Sequence, residues 1–531
     1  QDRKLKEIAK YPVLLDLLLE LDIKKVKNKT YVFDKYIENW LENDNWMVHL
    51  TSEGKSMMAQ ELAWLLWDSN AHSIYYASLP EGLSHYVKKE FKQKRDNDYL
   101  LIDIQETPFM INNGGMCSFI HESFRDYFVA KHIARLMEQG DKTFLNRGYI
   151  SGSIIEFLCE QVGVEKVVDF FSDILTNTKN RKQRARSIVA LYMLKNFVLN
   201  NRDFFNSEEL EIVETTINFR EYSLMGVDLS YANITGIDFN GASLPYSIFQ
   251  HSGLFNSNFE NADLSKTVLE KADMRKCNLK NTNLIGSDIS FAYFNDADLT
   301  GAICVESKMI EVTLNNADCT GAKFLQSNLH AALGINVKMK RVNFNKADLQ
   351  NADFSKSVFD NAVFTETNLN HIILQGSSLK KVTMNGCFIW GAEIMYCNFD
   401  GASFLNLNMG NVRMAYSSVK NAVLSGIDFS YADLREINFS GSEFKNVNFE
   451  NADIREAVFT NCKFDKFSEN SLNQAFDSNP ELIKPEPKNK PVQTTKKVSV
   501  KEAKKIKPEI KKDIKPEQKT TPKTDENKNY Y

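Results

Sequence analysis

The sequence predicts an α + β fold: a helical N-terminal region, then a solenoid of square β-coils, then a disordered C-terminal tail. Residues 227–466 divide into 48 pentads without an insertion or a shift of frame. The third residue of the pentad is Leu, Phe, Ile, Met or Val in 45 of the 48, and the fifth is Gly or Asn in 24. Residues 1–226 instead carry apolar residues at helical spacing, and residues 479–531 are rich in Lys and Pro.

A period of five residues fits neither a helix nor a flat strand, which repeat every ~3.6 and ~2 residues. Each pentad can instead point one large and one small residue inward and then turn at its fifth residue. Four pentads make a coil of 20 residues, so Leu229 and Phe249 would stack. Twelve coils at the ~4.8 Å spacing of strands would extend about 55–60 Å. The third-position column is the predicted core, and Leu349 and Phe354 are therefore predicted to be buried.

This pattern, with small first residues such as Ala232, Asp or Asn at second positions and a closing Gly or Asn, resembles the pentapeptide-repeat family. The resemblance covers all of residues 227–466 and implies a right-handed quadrilateral β-helix. Three third positions depart from the pattern, namely Cys304, Cys319 and Gly334.

Apolar residues at helical spacing predict a series of helices before the solenoid. The predicted helices cover residues 12–26, 31–42, 55–68, 82–94, 119–137, 153–176, 181–199 and 207–220. Short stretches from 99 to 120, with turns at Pro108 and Gly114–Gly115, predict a small sheet. The last helix is expected to cover the first coil, and Ser471–Phe476 the last coil, because open coil ends expose strand edges.

Two segments resemble NACHT-type (STAND) signalling NTPases: PFM…GG…FIHESFRDYFVA at 108–130 and YPVLLDLLLEL at 11–21. The implied layout is a helical segment at 1–28 after a missing nucleotide-binding domain, a winged helix at 29–140, a helical domain and solenoid cap at 141–226, the solenoid at 227–466, a C-terminal cap at 467–478 and a disordered Lys/Pro-rich tail at 479–531.

In that family a winged-helix His contacts the nucleotide β-phosphate, and a Pro at the start of the earlier helix touches the base. His121 and Pro12 match these positions, which implies cofactor-binding roles only if an upstream nucleotide-binding domain exists. The residues alone instead favour a capping or core histidine at a helix start for His121, and a favourable first-turn proline for Pro12.

The phosphate-binding loop of such NTPases, GxxxxGK followed by Ser or Thr, is absent. Gly54-Lys55-Ser56 carries the last part of the motif, but His49 stands where the first Gly belongs. The chain is therefore expected to start just after the ATPase domain and to hold no cofactor itself, with ATP or ADP and Mg confined to a longer parent protein. No catalytic constellation is recognisable, so we expect no enzymatic activity. The Asp residues at second positions are interpreted as hydrogen-bonding the turns.

The net charge and the positions of the cysteines disfavour several classes of protein. A net charge of −4 favours neither a nucleic-acid binder nor a strongly acidic protein. The eight cysteines form no CxxC pair, and six occupy inward pentad positions, which disfavours zinc and suits a reducing cytoplasm. No apolar stretch approaches the length of a membrane span. The basic cluster at 181–186 is interpreted as a solvated helix start.

Most outward pentad positions are polar, so the apolar exceptions are candidate binding surfaces. The first candidate comprises Phe388, Trp390, Met395, Tyr396 and Tyr416, with Ile373 on the preceding coil. The second is a strip formed by Ile285, Ile303, Val305 and Leu325.

These features favour a non-catalytic regulatory and ligand-sensing region, in which the solenoid binds a protein and the helical module signals to an upstream NTPase domain. The NACHT resemblance further implies oligomerisation through that domain. One alternative is a DNA mimic that binds topoisomerases, as some pentapeptide-repeat proteins do; the other is a passive scaffold. The 26 acidic and 21 basic residues of the solenoid disfavour the DNA mimic, which needs a markedly acidic surface.

Overall fold

The structure is a computed structural model that describes residues 21–22, 25–42, 52–75, 78–79, 104, 107, 109–148 and 150–478. Three predictions lie outside the described residues: most of the helix at 12–26, including Pro12, the helix at 82–94, and the tail at 479–531.

Two helices and a small sheet open the described part of the chain. Helix α1 covers Lys29–Glu42 and helix α2 covers Ser52–Asp68. Strands β1 (Ile74–Tyr75), β2 (Met110–Asn113) and β3 (Met116–Phe119) form an antiparallel sheet in the order β1–β3–β2. The sheet therefore gains a two-residue strand, β1, that the sequence did not predict. Helix α3 follows at Glu122–Glu138; its buried Phe124 and Tyr127 pack against Phe33 of α1, and its Phe128 packs against Phe109 and Phe119.

Four more helices lead to the solenoid. They are α4 (Gly152–Val162), α5 (Val164–Asn177), α6 (Arg181–Asn200) and α7 (Ser207–Thr216). The stretch 153–176, predicted as one helical segment, is interrupted at Gly163, whose φ of +93° is incompatible with a continuous helix. Asn180 caps α6 by accepting hydrogen bonds from the N–H groups of Lys182 and Gln183.

Glu160 of α4, a half-buried carboxylic acid, connects this helix to the start of α1. The backbone N–H of Thr30, at the start of α1, donates to Oε2 of Glu160 on α4 over 2.7 Å. The neighbouring Lys29 is buried and lies 3.3 Å from Glu156 and over the ring of Phe157. Burial raises the pKa of Glu160 to about 7.

The C-terminal part is a β-solenoid in which residues 20 apart pair in parallel. Single bridges with this register run from Ser223↔Ser243 to Asn438↔Val458. Six successive coils also carry regular strands, one in each, which form one six-stranded parallel sheet. These strands are β4 (Val363–Thr365), β5 (Thr383–Asn385), β6 (Ser403–Asn408), β7 (Val423–Asp428), β8 (Glu443–Lys445) and β9 (Lys463–Phe464).

Burial follows the predicted pentad frame. Every third-position residue from Leu229 to Phe459 is buried, including Leu349 and Phe354. First-position Ser, Thr and Cys side chains also satisfy the backbone: Thr367 Oγ1 donates to the carbonyl of Phe344 over 2.8 Å, and Cys277 Sγ lies 3.0 Å from that of Leu254. The buried polar column is therefore hydrogen-bonded rather than merely small.

The fifth position makes the turns, as predicted. Every fifth-position residue from Tyr231 to Asn461 has a φ in the left-handed region, whether it is Gly, Asn, Lys, Glu or Tyr. The pairing between coils fixes this conformation even where the side chain disfavours it by roughly 1 kcal/mol or more.

Helices cover both ends of the solenoid. At the N-terminal end, Tyr192 on α6 donates from its hydroxyl to the carbonyl of Thr235 over 2.7 Å, and Arg184 donates to the carbonyl of Ser223. These contacts come from α6. Helix α7 packs against α5 and α6, and its predicted cover of the first coil stays a prediction. At the other end, helix α8 (Lys466–Ser478) buries Leu472, Ala475 and Phe476.

Candidate functional site

Four exposed aromatic side chains form the aromatic patch, which we define as Phe388, Trp390, Tyr396 and Tyr416. Their exposed fractions are 63%, 54%, 54% and 41%. Two further predicted residues, Met395 and Ile373, are half-buried beside them. Because the solenoid core is complete without these rings, the fold does not require them to be aromatic.

Phe388 and Trp390 lie two residues apart on one face of the solenoid, so both side chains point away from the core. Phe388 pairs with Asn368 on one side and Asn408 on the other. The backbone N–H of Trp390 donates to Oδ1 of Asn370 over 2.9 Å. The next coil presents Gly410, which has no side chain, in the Trp390 column, and the indole is 54% exposed.

The indole has one aromatic neighbour, His371 at the adjacent corner. The two ring centroids are 4.8 Å apart and the rings meet edge to face at 88°. A Cβ atom at Gly391 would lie only 2.7 Å from Nδ1 of His371, and Gly391 itself has a φ of +67°. Because Gly391 has no Cβ atom, the imidazole of His371 can occupy this space and contact the indole of Trp390.

Tyr396 and Tyr416 form the other half of the aromatic patch. They occupy the same corner of successive coils, and their rings stack at 4.9 Å with an angle of 7°. This pair presents a flat aromatic surface around the corner from Trp390.

The face that carries Phe388 and Trp390 is acidic. Between Asp348 and Glu450, its second- and fourth-position residues include three acidic side chains and no Lys or Arg. Asp348 lies 40 residues, or two coils, before Phe388 in the same column, and Asp428 lies two coils after it. Oδ1 of Asp348 accepts the N–H of Gln350 over 3.1 Å, and Oδ1 of Asp428 accepts that of Ser430 over 3.0 Å. Both carboxylates are therefore held at fixed positions on the face.

These turn contacts recur along the solenoid and account for the Asp and Asn residues at second positions. Many of the acidic residues elsewhere also pair with a basic side chain one coil away, as in Lys308–Asp288 (3.0 Å), Lys338–Asp318 (3.2 Å) and Arg413–Glu393 (2.7 Å). These pairs distinguish the surface from the uniformly negative one that a DNA mimic needs.

The second predicted strip is less exposed than the aromatic patch. Ile285 is at the margin of exposure, and Ile303, Val305 and Leu325 are half-buried. Backbone bonds align Val305 and Leu325 with Ile285: Gly286 N–H donates to the Val305 carbonyl, and Glu306 N–H to that of Leu325, each over 2.9 Å. The strip is a shallow apolar surface without an aromatic side chain.

His121 caps helix α3. Its Nδ1 accepts a hydrogen bond from the N–H of Ser123 over 3.1 Å. The imidazole also borders a shallow pocket of about 470 Å³ with His72 and Arg125. His72 Nδ1 in turn lies 3.0 Å from Oε1 of Glu122. The capping role derived from the residues is thus present, while the nucleotide contact implied by the family resemblance remains a prediction.

The remaining polar candidates have structural explanations. Lys55 of the Gly54-Lys55-Ser56 sequence is a buried residue of α2, and its ammonium group lies over the ring of Trp40.

The thiols of Cys117 and Cys304 are not activated. Burial raises the pKa of the Cys117 thiol to about 11 and that of Cys304 to about 12, so both remain protonated. None of the eight cysteines, all of which lie in the described ranges, forms a disulfide bond. Within the described ranges, no group of His, Cys, Asp and Glu side chains has the arrangement of a metal site.

The basic cluster at the start of α6 is not simply solvated, as the sequence had suggested. Lys182 Nζ donates to the carbonyl of Asn146 over 2.7 Å. Arg186 Nη1 donates to the carbonyls of Arg147 and Gly148, each over 2.6 Å. These bonds, with that of Arg184 to Ser223, connect α6 to the segment before α4 and to the solenoid. The sequence offered no signal for them because backbone acceptors leave no pattern in side chains.

The sequence of the solenoid matches the model of the pentapeptide repeats family. The matched segments are residues 223–261, 254–290, 262–301, 292–330, 313–351, 343–380 and 422–461. The solenoid is made of pentapeptide repeats. The pentapeptide-repeat prediction is therefore confirmed for this part of the chain.

Several solved structures, pentapeptide-repeat proteins among them, match part of this chain. HetL, involved in heterocyst differentiation regulation in the cyanobacterium Nostoc, is 23% identical over 49% of this chain and 94% of its own, with a TM-score of 0.17. Full-length QnrB1, a plasmid-mediated fluoroquinolone resistance protein, is 15% identical over 48% of this chain and 98% of its own, with a TM-score of 0.20. A thylakoid-lumen protein of Arabidopsis thaliana is 26% identical over 21% of this chain and 70% of its own, with a TM-score of 0.11.

No curated protein is significantly similar to this chain. None of the helices in the described ranges is long and apolar enough to span a membrane.

Proposed function

We propose that the solenoid is a non-catalytic protein-binding module whose contact centre is the aromatic patch. The observation that carries this proposal is the exposure of Phe388 and Trp390 on a fold that does not need them. Aromatic side chains are enriched at the centres of protein interfaces, where they supply a large contact area at a low cost in conformational entropy. The cytoplasm is the compartment we propose, because buried free thiols suit a reducing environment.

The acidic character of the face indicates a partner that is apolar at its centre and basic around it. Asp348 and Asp428 lie two coils on either side of Phe388, or about 10 Å at the usual strand spacing. Lys or Arg side chains at a matching distance from an apolar residue would meet both carboxylates. A cation can also lie over the exposed indole of Trp390, which is the aromatic ring most favourable for such contacts.

The test begins with the intact chain as bait in extracts of its own source organism, followed by purification of the captured protein. Trp390→Ala should weaken binding of the purified partner by about 30-fold, because truncating a central aromatic anchor commonly costs about 2 kcal/mol or more. Tyr246→Ala is the matched control: Tyr246 is exposed to the same extent, at 52%, but lies in the first coils. Equal loss of binding in both variants, or in neither, would contradict the assignment of the contact centre to the aromatic patch.

We further propose that the helical region belongs to a NACHT-like signalling protein and transmits partner binding to an upstream nucleotide-binding domain. Helices α1 and α2 are followed by the antiparallel sheet of order β1–β3–β2, in which β2 and β3 form a hairpin. This arrangement supports a winged helix, whose wing is such a hairpin. The position of His121 at the first turn of α3, beside a pocket, also supports the proposal. Sequencing the gene upstream of Gln1 tests it: a phosphate-binding loop encoded there would support the proposal, and an in-frame start codon without one would overturn it.

A further inference from the structure

A second cavity lies where helix α6 meets the first coils of the solenoid. This junction pocket has a volume of about 620 Å³. Small-molecule sites usually occupy about 300–1,000 Å³, so the size suits a ligand rather than a single ion.

The walls of the junction pocket are mainly apolar. Helix α6 contributes Ala185 and Val189, and the solenoid contributes Leu229 and Ile248. Tyr231 stands at the rim with 70% of its side chain exposed. One face of its ring stacks on His251 at 4.9 Å, so a planar ligand has only the other face available.

The charged groups of the pocket are predominantly basic. Arg181, Lys182 and Arg186 line it from α6, against the single carboxylate of Asp228. The bonds of Lys182 and Arg186 to backbone carbonyls orient these side chains but do not neutralise their charges. Oδ1 of Asp228 already accepts the N–H and the hydroxyl of Ser230, over 3.0 and 2.6 Å.

Of the three cations, Arg181 has the most hydrogen-bond donors available to a ligand. It is exposed and makes no hydrogen bond or ion pair with another described residue. Its guanidinium lies against the backbone of Gly226, where a Cβ atom would come within 2.7 Å of Cζ. Gly226 has a φ of +68° and turns the chain tightly, so the close approach depends on glycine at this position.

We propose that the junction pocket binds a small aromatic anion, with its ring between the apolar walls and its carboxylate or phosphate group on Arg181. The excess positive charge selects an anion, and the apolar walls select a hydrophobic body over a free inorganic ion. A ligand in this position contacts both α6 and the first coils, so its binding stabilises the junction between the helical region and the solenoid.

Three naphthalene probes test the proposal by isothermal titration calorimetry on the full chain: 1-naphthyl phosphate, 1-naphthoate and the neutral 1-naphthylmethanol. At least one anion should bind about 10-fold or more tightly than the alcohol, as expected for a charged hydrogen bond. The tighter of the two anions identifies the acidic group that is recognised. Equal affinity for all three probes, or no detectable binding of either anion at millimolar concentration, would overturn the proposal.

Substitutions test whether the probes bind in the junction pocket. Arg181→Ala should reduce affinity for the anion about 10-fold and leave the alcohol unaffected, and Arg181→Lys should retain part of the affinity. Val189→Trp should fill the pocket and weaken all probes. Arg341→Ala is the control, because Arg341 is another exposed arginine, more than five coils away. If Arg341→Ala weakens the anion as much as Arg181→Ala does, the binding is non-specific and the proposal fails.

Discussion

The pentad frame predicts a large loss of stability from one substitution in its core column, Leu349→Ala. Leu349 is 0% exposed, and Leu329 and Leu369, one coil to either side, are also 0% exposed. Because both neighbours are fixed by the pairing of their own coils, the space left by the side chain cannot collapse easily. Loss of a buried Leu side chain costs about 2–5 kcal/mol under such conditions, and the upper half of that range applies here.

Urea unfolding followed by far-ultraviolet circular dichroism measures this loss. Gln350→Ala is the control, because Gln350 is the next residue along the chain but points outward, and its loss should change the free energy of unfolding by less than about 0.5 kcal/mol. Leu349→Asp should destabilise the solenoid further than Leu349→Ala, since it places an unpaired charge in the core. A cost below about 1 kcal/mol for Leu349→Ala, or an equal cost for Gln350→Ala, would refute the frame.

Three further predictions concern other parts of the chain. Trp390→Ala should leave the thermal midpoint nearly unchanged, because the indole is more than half exposed; unfolding of the variant would show that the ring supports the coil. Glu160→Gln should flatten the dependence of stability on pH. Because burial raises the pKa of Glu160 to about 7, the wild type should lose stability as pH rises from about 4.5 towards 7, and an equal loss in the variant would contradict this cause. The purified chain should not hydrolyse ATP, since it lacks a phosphate-binding loop; steady phosphate release above a heat-inactivated control would contradict that expectation.

The solenoid could be predicted in detail because the same five-residue pattern recurs 48 times. Each third-position residue is one of many equivalent observations, so single exceptions such as Gly334 do not shift the frame. The structure explains that exception: a Cβ atom at Gly334 would lie 2.3 Å from the ring of Phe354, which occupies the missing volume. Phe354 lies one coil away in space but 20 residues away in sequence, so the residues next to Gly334 in the sequence do not predict this contact.

The helical region was less predictable because each of its elements occurs once. Gly163 divides a stretch whose apolar spacing continues across it, and β1 is too short to show a periodic pattern. The basic residues of α6 find backbone acceptors, which carry no side-chain signal. These features depend on tertiary neighbours rather than on the local sequence.

For the candidate site, the frame identified which aromatic residues point outward, and four of them are exposed. It could not show that His371 supports Trp390 or that Gly391 makes room for the imidazole, since both depend on distances between coils. The junction pocket was likewise invisible in the sequence, because it forms between α6 and coils some 40 residues later in the chain.

The proposed protein contact at the aromatic patch is tested most directly by photo-cross-linking. A photoreactive phenylalanine analogue replaces Phe388 in one preparation and Tyr246 in another, and each is irradiated with the purified partner. Cross-linking from position 388 but not from position 246, with the modified partner peptide containing Lys or Arg beside an apolar residue, is the predicted result. Cross-linking from position 246 alone, or from neither position while the complex is intact, would contradict the account.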